Sequence, residues 1–299
     1  MAARVLRVLR TILLLLALIS VVGAAVVYAL SERRLRRRYP VAAASVPVRS
    51  DSAGVARGEH LYHTITCALC HGEDGGGAVY ADAGPIAVLA GPNLTGGRGG
   101  IAGLRADADW VLAIRYGVHQ DSTSLIVMPS EVFTHLSDSD LGALLAYLRQ
   151  LPPVDRDVPR SHFRWLGRFL LATGRLNILV APKTPANAER AAVAEGPTVE
   201  YGRYLANVSG CHGCHGYGLS GGRVDGPPGI PPASNLTPAG LGGWTEQTFV
   251  ALMRTGRRPG GSALHEFMPW RQFSHMTDTE LAALWRYLQS VPPKAFGGK

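Results

Sequence analysis

All four cysteines of this 299-residue chain fall in two copies of one five-residue string, Cys67-Ala68-Leu69-Cys70-His71 and Cys211-His212-Gly213-Cys214-His215. Two thiols three positions apart on one helical turn can add to the two vinyl groups of a haem, and the histidine that follows reaches the iron from the same face. Cys67, Cys70, Cys211 and Cys214 are therefore candidate haem c attachment residues, and His71 and His215 candidate iron ligands. No cysteine remains for a disulfide framework. Two other readings of C-x-x-C exist, a thioredoxin-like redox pair and half of a zinc site. A thioredoxin-like pair needs a helix after it. Here Gly72, Gly75, Gly76 and Gly77 follow the first copy, and Gly216, Gly218, Gly221 and Gly222 the second. A zinc ion shared by both pairs leaves the repeated histidine unexplained.

The repeat extends beyond the strings. Gly58 and Gly202 each lie nine residues before the first cysteine of their copy. Asn93-Leu94-Thr95 returns as Asn235-Leu236-Thr237. Trp110, Arg115 and Gly117 match Phe249, Arg254 and Gly256. Met128-Pro129 returns as Met268-Pro269, with Phe133 or Phe273 after it. Leu151-Pro152-Pro153 returns as Val291-Pro292-Pro293. Two homologous domains, 54–153 and 198–296, account for this pattern.

The local pattern is helical. Ser137-Asp138-Ser139-Asp140 and Thr277-Asp278-Thr279-Glu280 read as capping boxes. Leucines at helical spacing follow each, and Pro-Pro ends each helix because proline cannot continue one. Shorter helices are expected over 54–66, 107–116, 199–208 and 245–255. Gly- and Pro-rich loops are expected over 72–106 and 216–243, long enough to need a function such as wrapping a cofactor. The segment 154–197 joins the domains. Phe163, Trp165, Leu166, Phe169, Leu170 and Leu171, punctuated by Arg164, Arg168 and Arg175, predict a basic, partly apolar helix there.

Thr11 to Leu30 is a 20-residue stretch without charge. As a helix at about 1.5 Å per residue it spans roughly 30 Å, the thickness of a bilayer's hydrocarbon core. A secretory signal cut after Val27-Tyr28-Ala29 is the competing reading, but a signal's apolar region usually runs only about 7–15 residues. Residues 1–50 are thus expected to be an anchor and a basic juxtamembrane segment. They hold nine arginines against one acid, Glu32, which leaves 21 basic and 21 acidic residues in the rest of the chain. The net charge of +8 is therefore local to the anchor, and nucleic-acid binding gains no support from it.

Each half resembles a class I cytochrome c domain, through the C-x-x-C-H turn, the Asn-Leu-Thr loop, the Met-Pro loop and the capped last helix. The second half, with Asn235-Leu236-Thr237-Pro238 and Met268-Pro269-Trp270, is most similar to the cytochrome subunits of membrane dehydrogenases. The resemblance implies two tandem cytochrome c-type domains and two covalently bound haem c groups; with the N-terminal transmembrane helix read from the uncharged stretch, the expected fold is all-α. The resemblance also implies axial ligation by His71 and Met128 in one domain and by His215 and Met268 in the other. The two methionines stand at matching positions in a chain with only five. Methionine as core filler, and His119, His135, His265 or His275 as distal ligands, are the alternatives. Pro92 is expected to orient His71 through its carbonyl, with Ser234 in that place in the second copy. Asn93 and Asn235 are expected against the cofactor, and Arg115 and Arg254 beside its propionates.

The resemblance also sets the side of the membrane. Five arginines after the span and three before it would by themselves leave the domains in the cytoplasm. Covalent haem attachment in bacterial cytochromes is completed outside the cytoplasmic membrane, and long domains translocate largely regardless of charge. A single-pass protein with its haem domains on the periplasmic side is the expectation. No catalytic residue is expected. Instead the chain should carry single electrons between a membrane dehydrogenase or quinol-oxidising complex and a terminal acceptor, an oxidase or a small cytochrome. A peroxidase-like dihaem enzyme, or a haem-bearing subunit of a respiratory or photosynthetic complex, is the alternative. Residues 58–153 carry ten acids and four bases, and 199–299 six acids and nine bases. The two domains should therefore prefer partners of opposite charge, the first a basic one and the second an acidic one, or stack against each other.

Overall fold

The computed structural model describes residues 1–226 and 229–298. The first helix, α1 (Ala2–Leu35), contains the uncharged stretch and runs unbroken past it. Its apolar side chains up to Val26 are exposed. Val27, Ser31, Glu32 and Leu35, one face of its last two turns, are covered.

Two halves of matching plan follow. In the first, α2 (Ser52–Thr64) leads into α3 (Cys67–His71), then α4 (Asp107–Val111) with a π-helical turn Leu112–Tyr116, α5 (Ser130–Phe133) and α6 (Asp138–Leu148). The linker contributes α7 (Trp165–Ala172). The second half runs α8 (Val199–Val208), α9 (Cys211–His215), α10 (Glu246–Thr255), α11 (Trp270–Phe273) and α12 (Asp278–Ser290). The fold is mostly helical, as expected. The region 72–106 departs from the loop expected there. It contains a hairpin, β1 (Ala78–Asp82) and β2 (Ala87–Gly91), and the linker adds β3 (His162–Phe163) antiparallel to β2. These strands are short and alanine-rich, so they carry little of the β-branched alternation that marks a strand. In 216–243 no α-helix occurs among the described residues, and 227–228 lie outside them.

In each half the first and last helices cross at a glycine. A Cβ on Gly58 would lie 2.1 Å from the Ala143 carbonyl oxygen, and one on Gly202 would lie 2.0 Å from that of Ala283. The repeated glycine is thus required by backbone contact. The caps differ between halves. Thr277 Oγ1 accepts from the Glu280 N–H while Glu280 Oε2 accepts from the Thr277 N–H, a closed box. Ser137 accepts from the Asp140 N–H, but the Asp140 carboxylate turns outward to Arg57 and Tyr204.

One continuous apolar core runs through both halves, and a polar cluster joins them about a local pseudo-two-fold. His60 Nε2 lies 2.7 Å from Glu280 Oε2, while Tyr204 donates to Asp140 Oδ2 at 2.6 Å. His60 and Tyr204 are repeat equivalents, as are Asp140 and Glu280. Arg57 bridges the two sides, donating to Asp140 and, at 3.2 Å, to Glu280. A smaller apolar cluster of Ala87, Phe163, Leu171 and Leu179, with Leu35 against it, fastens the end of α1 and the linker to the hairpin.

Candidate functional site

The two C-x-x-C-H turns have the same backbone. Each is one short helix entered through a left-handed residue, Thr66 (φ 73°) or Gly210 (φ 72°). Each is left through a glycine at φ 79° ψ 158° (Gly72) or φ 78° ψ 159° (Gly216), a region open essentially only to glycine. Gly72 is pinned further, because its carbonyl accepts from the buried Tyr62 hydroxyl at 2.6 Å.

His71 Nδ1 lies 3.0 Å from the Pro92 carbonyl oxygen, and His215 Nδ1 lies 2.7 Å from that of Ser234. A carbonyl only accepts, so each Nδ1 carries the proton and each Nε2 presents a lone pair. Burial lowers the pKa of both imidazoles, against the pull of these carbonyls, which favours the neutral form that ligates. The contact is made by the backbone, so serine serves in the second half where proline serves in the first.

The thiols argue against the thioredoxin-like reading of C-x-x-C. Burial pushes Cys67 and Cys211 up to about 12, and Cys70 up to about 11. A thioredoxin-like pair depends on a lowered pKa. No group of three or more His, Cys, Asp or Glu side chains suited to a metal ion occurs among the described residues. Neutral thiols beside apolar side chains fit covalent attachment to a porphyrin. Cys67, Cys211, Met128 and Met268 are all partly buried against the same apolar core.

The Met-Pro turns also match. Pro129 (φ −80°, ψ 56°) and Pro269 (φ −78°, ψ 50°) open α5 and α11 in the same conformation, with Met128 and Met268 immediately before them. The other two methionines after Met1 are core: Met253 and Met276 are buried. Among the rival histidines, His265 is exposed and its Nδ1 accepts from the Phe267 N–H in its own turn, and the His275 ring lies tilted against that of His63 across the halves, with centroids 5.5 Å apart.

Asn93 and Asn235 are engaged with the chain itself. Asn93 Nδ2 donates to the Val154 carbonyl at 2.7 Å while Oδ1 accepts from the N–H and hydroxyl of Thr95. Asn235 repeats this with Lys294 and Thr237. Their place is to fasten the loop bearing the Pro92 or Ser234 carbonyl to the segment after Pro-Pro. The two arginines likewise have protein partners where propionate contacts were expected. Arg115, 1% exposed, donates through Nη2 to the Leu136 carbonyl (3.0 Å) and Asp138 (2.6 Å). Arg254 donates to the Ser274 and Met276 carbonyls and to Asp278. Both clamp the start of the last helix, whose first-turn carboxylate and preceding carbonyls form a ready guanidinium site.

The halves meet at their functional elements. α5, which follows Met128, packs on α8, and α11, which follows Met268, packs on α2. A Cβ on Gly210, at the mouth of the second C-x-x-C-H turn, would lie 3.3 Å from Val132 of α5. The charge asymmetry allowed the two domains to stack on each other, but the sequence reading did not name the residues that meet. The polar members of the junction, Arg57, His60, Asp140, Tyr204 and Glu280, are single residues inside helices, and only the repeat register marks them as paired.

The cytochrome c family model matches residues 55–152 and 199–292. The chain is 26% identical over 286 residues to the fructose dehydrogenase cytochrome subunit of Gluconobacter japonicus, covering 85% of this chain and 56% of that protein. It is 30% identical over 279 residues to the gluconate 2-dehydrogenase cytochrome c subunit of Pantoea cypripedii, covering 82% and 61%. It is 29% identical over 285 residues to a diheme cytochrome c-type protein of Cereibacter sphaeroides, covering 82% and 91%. The chain thus spans little more than half the length of the two dehydrogenase subunits.

Proposed function

Because this chain belongs to the cytochrome c family, we propose that it is a membrane-anchored dihaem electron carrier serving a membrane dehydrogenase. The observation that carries the reading is the twice-built imidazole. In two distant stretches of sequence, a histidine next to a cysteine pair is held by a backbone carbonyl with Nε2 left to ligate.

Cys67 and Cys70 would hold one haem and Cys211 and Cys214 the other, in domains 54–153 and 198–296. His71 and His215 would be the proximal ligands, oriented by the Pro92 and Ser234 carbonyls. Met128 and Met268 would each supply a soft, neutral thioether as the second protein ligand, which favours ferrous iron and raises the potential. Bound haem supplies reversible one-electron exchange. The chain's part is to fix the ligands, exclude water and set the two sites side by side through the α5–α8 and α11–α2 contacts. α1 is the anchor in this reading. It has a mean hydropathy of 2.8 over its apolar window and none of that window is buried. The domains would then lie on the periplasmic side, where haem c is attached.

The relatives serve dehydrogenases of fructose, alcohol and gluconate by name, so the donor proposed here is a dehydrogenase of small hydroxylated substrates. The test is isolation of the chain with its partners from native membranes in mild detergent. Addition of such substrates should reduce the haem, and the reduction should require a co-purifying dehydrogenase. Peroxide turnover by the isolated chain, or carbon monoxide binding to its reduced form, would point to an open iron and a catalytic role instead.

A further inference from the structure

The linker helix α7 has three sides with three different environments. Gly167 and Leu171 are buried on the linker and hairpin side. Arg168 faces α1, donating to Glu32 at 2.8 Å and Ser31 at 3.0 Å while its guanidinium covers the Tyr28 ring at 4.6 Å. Trp165 and Phe169, at helical spacing on the remaining side, are 72% and 44% exposed. Ala172 continues that stripe and borders an open cleft of about 600 Å³ between α7 and α1, lined otherwise by Leu30, Arg33, Arg34 and Arg37. No carboxylate lines the cleft, and none of these three arginines forms an ion pair among the described residues. Leu30 is the last residue of the uncharged stretch. Leu30 to Leu35, the end of α1, climbs roughly 7.5 Å along the helix, about the depth of one headgroup layer, and Arg37 follows just beyond it. The cleft therefore sits where the anchor would leave the hydrocarbon core.

We propose that α7 and the α1 arginines form a second membrane contact, a docking surface for an anionic lipid leaflet. Trp165 and Phe169 lie at headgroup level, as aromatic residues at membrane interfaces do. Arg33, Arg34 and Arg37 take lipid phosphates into the cleft. The contact holds the haem domains at a fixed height and tilt, because the Arg168 contacts tie α7 to α1. This rests on the reading of α1 as a membrane anchor.

The test uses full-length holoprotein in nanodiscs containing phosphatidylglycerol. A nitroxide is placed in turn at Phe169→Cys, at Leu18→Cys in mid-span and at Tyr217→Cys on the far half. Its accessibility to oxygen and to a water-soluble nickel chelate is then read by electron paramagnetic resonance. The native cysteines should be held in thioethers, leaving only the introduced thiol to label. Expected is full nickel protection at position 18, none at 217 and intermediate protection at 169. Arg33→Gln/Arg34→Gln/Arg37→Gln, with an unchanged haem spectrum, should raise nickel access at 169 several-fold, as should discs of phosphatidylcholine alone. Position 169 as accessible as 217, with 18 protected, overturns the proposal and leaves the anchor standing. Nickel access at position 18 overturns both. Protection at 169 that ignores the arginine changes and the lipid charge overturns the proposed phosphate contact.

Discussion

Glu280 offers the sharpest test of how the halves are joined. Its side chain is 4% exposed and accepts from Arg57, His60, Tyr201 and the Thr277 N–H. Burial alone would raise its pKa. The hydrogen bond and field of His60, the Thr277 N–H and Arg57 outweigh that and hold it at about 2, from an ordinary 4.5. A difference of this size corresponds to about 3 kcal/mol of stability. Because the folded-state value is the lower one, the contribution is complete above about pH 5. It is lost as pH falls through the interval from 4.5 to about 2. Glu280→Gln keeps the shape and removes the charge. In thermal denaturation of the holoprotein it should melt about 6–12 °C below the parent at pH 7. The gap should close as pH approaches 2, where the parent carboxylate is itself protonated. A gap below 2 °C at pH 7, or one that persists unchanged to pH 2, would refute the assignment of Glu280 as the charged centre of the junction.

Four further outcomes follow from the same geometry. Thr66 holds a left-handed conformation where its repeat partner is Gly210, so Thr66→Gly should stabilise the protein by about 1 kcal/mol in denaturant unfolding. Thr277→Ala removes the cap hydroxyl from α12 and should cost about 1 kcal/mol in the same assay. Gly202→Ala forces a Cβ onto the Ala283 carbonyl and should destabilise by about 3 kcal/mol or more, seen as a lower melting temperature and loss of haem-bearing protein on expression. Met268→His should abolish the far-red sulfur-to-iron charge-transfer band of one haem and lower its potential by roughly 0.2 V, within the ~0.8 V that axial ligands span. Redox titration with visible spectroscopy reads both.

The helices and ligand turns were legible because they rest on short-range rules. Serine or threonine before acids starts α6 and α12, Pro-Pro follows their ends, and C-x-x-C-H fixes its own turn. The Pro92 contact was expected from the family resemblance, and repeat register then points to Ser234, 21 and 19 residues after their histidines. The hairpin was not legible, since Ala-Val-Leu-Ala-Gly has no clear period and gains a second partner, besides β1, from the linker about 75 residues later. The protein partners of Arg115 and Arg254 were not legible, for a related reason. A conspicuous repeated arginine says that an acceptor lies near, but not which. The acceptors are Asp138 and Asp278, each 23 or 24 residues on, and they stand at matching repeat positions that sequence alone could have paired. The Arg57–His60–Glu280 cluster depends on how two domains dock, which no local pattern encodes.

The central claim is that both C-x-x-C-H turns carry covalent haem. It is tested most directly by denaturing mass spectrometry of the purified holoprotein with a pyridine haemochrome assay on the same sample. The account predicts a chain heavier than its polypeptide by two haems and a haemochrome count of two per chain. A mass matching the bare polypeptide, or a single haem in fully matured protein, would contradict it.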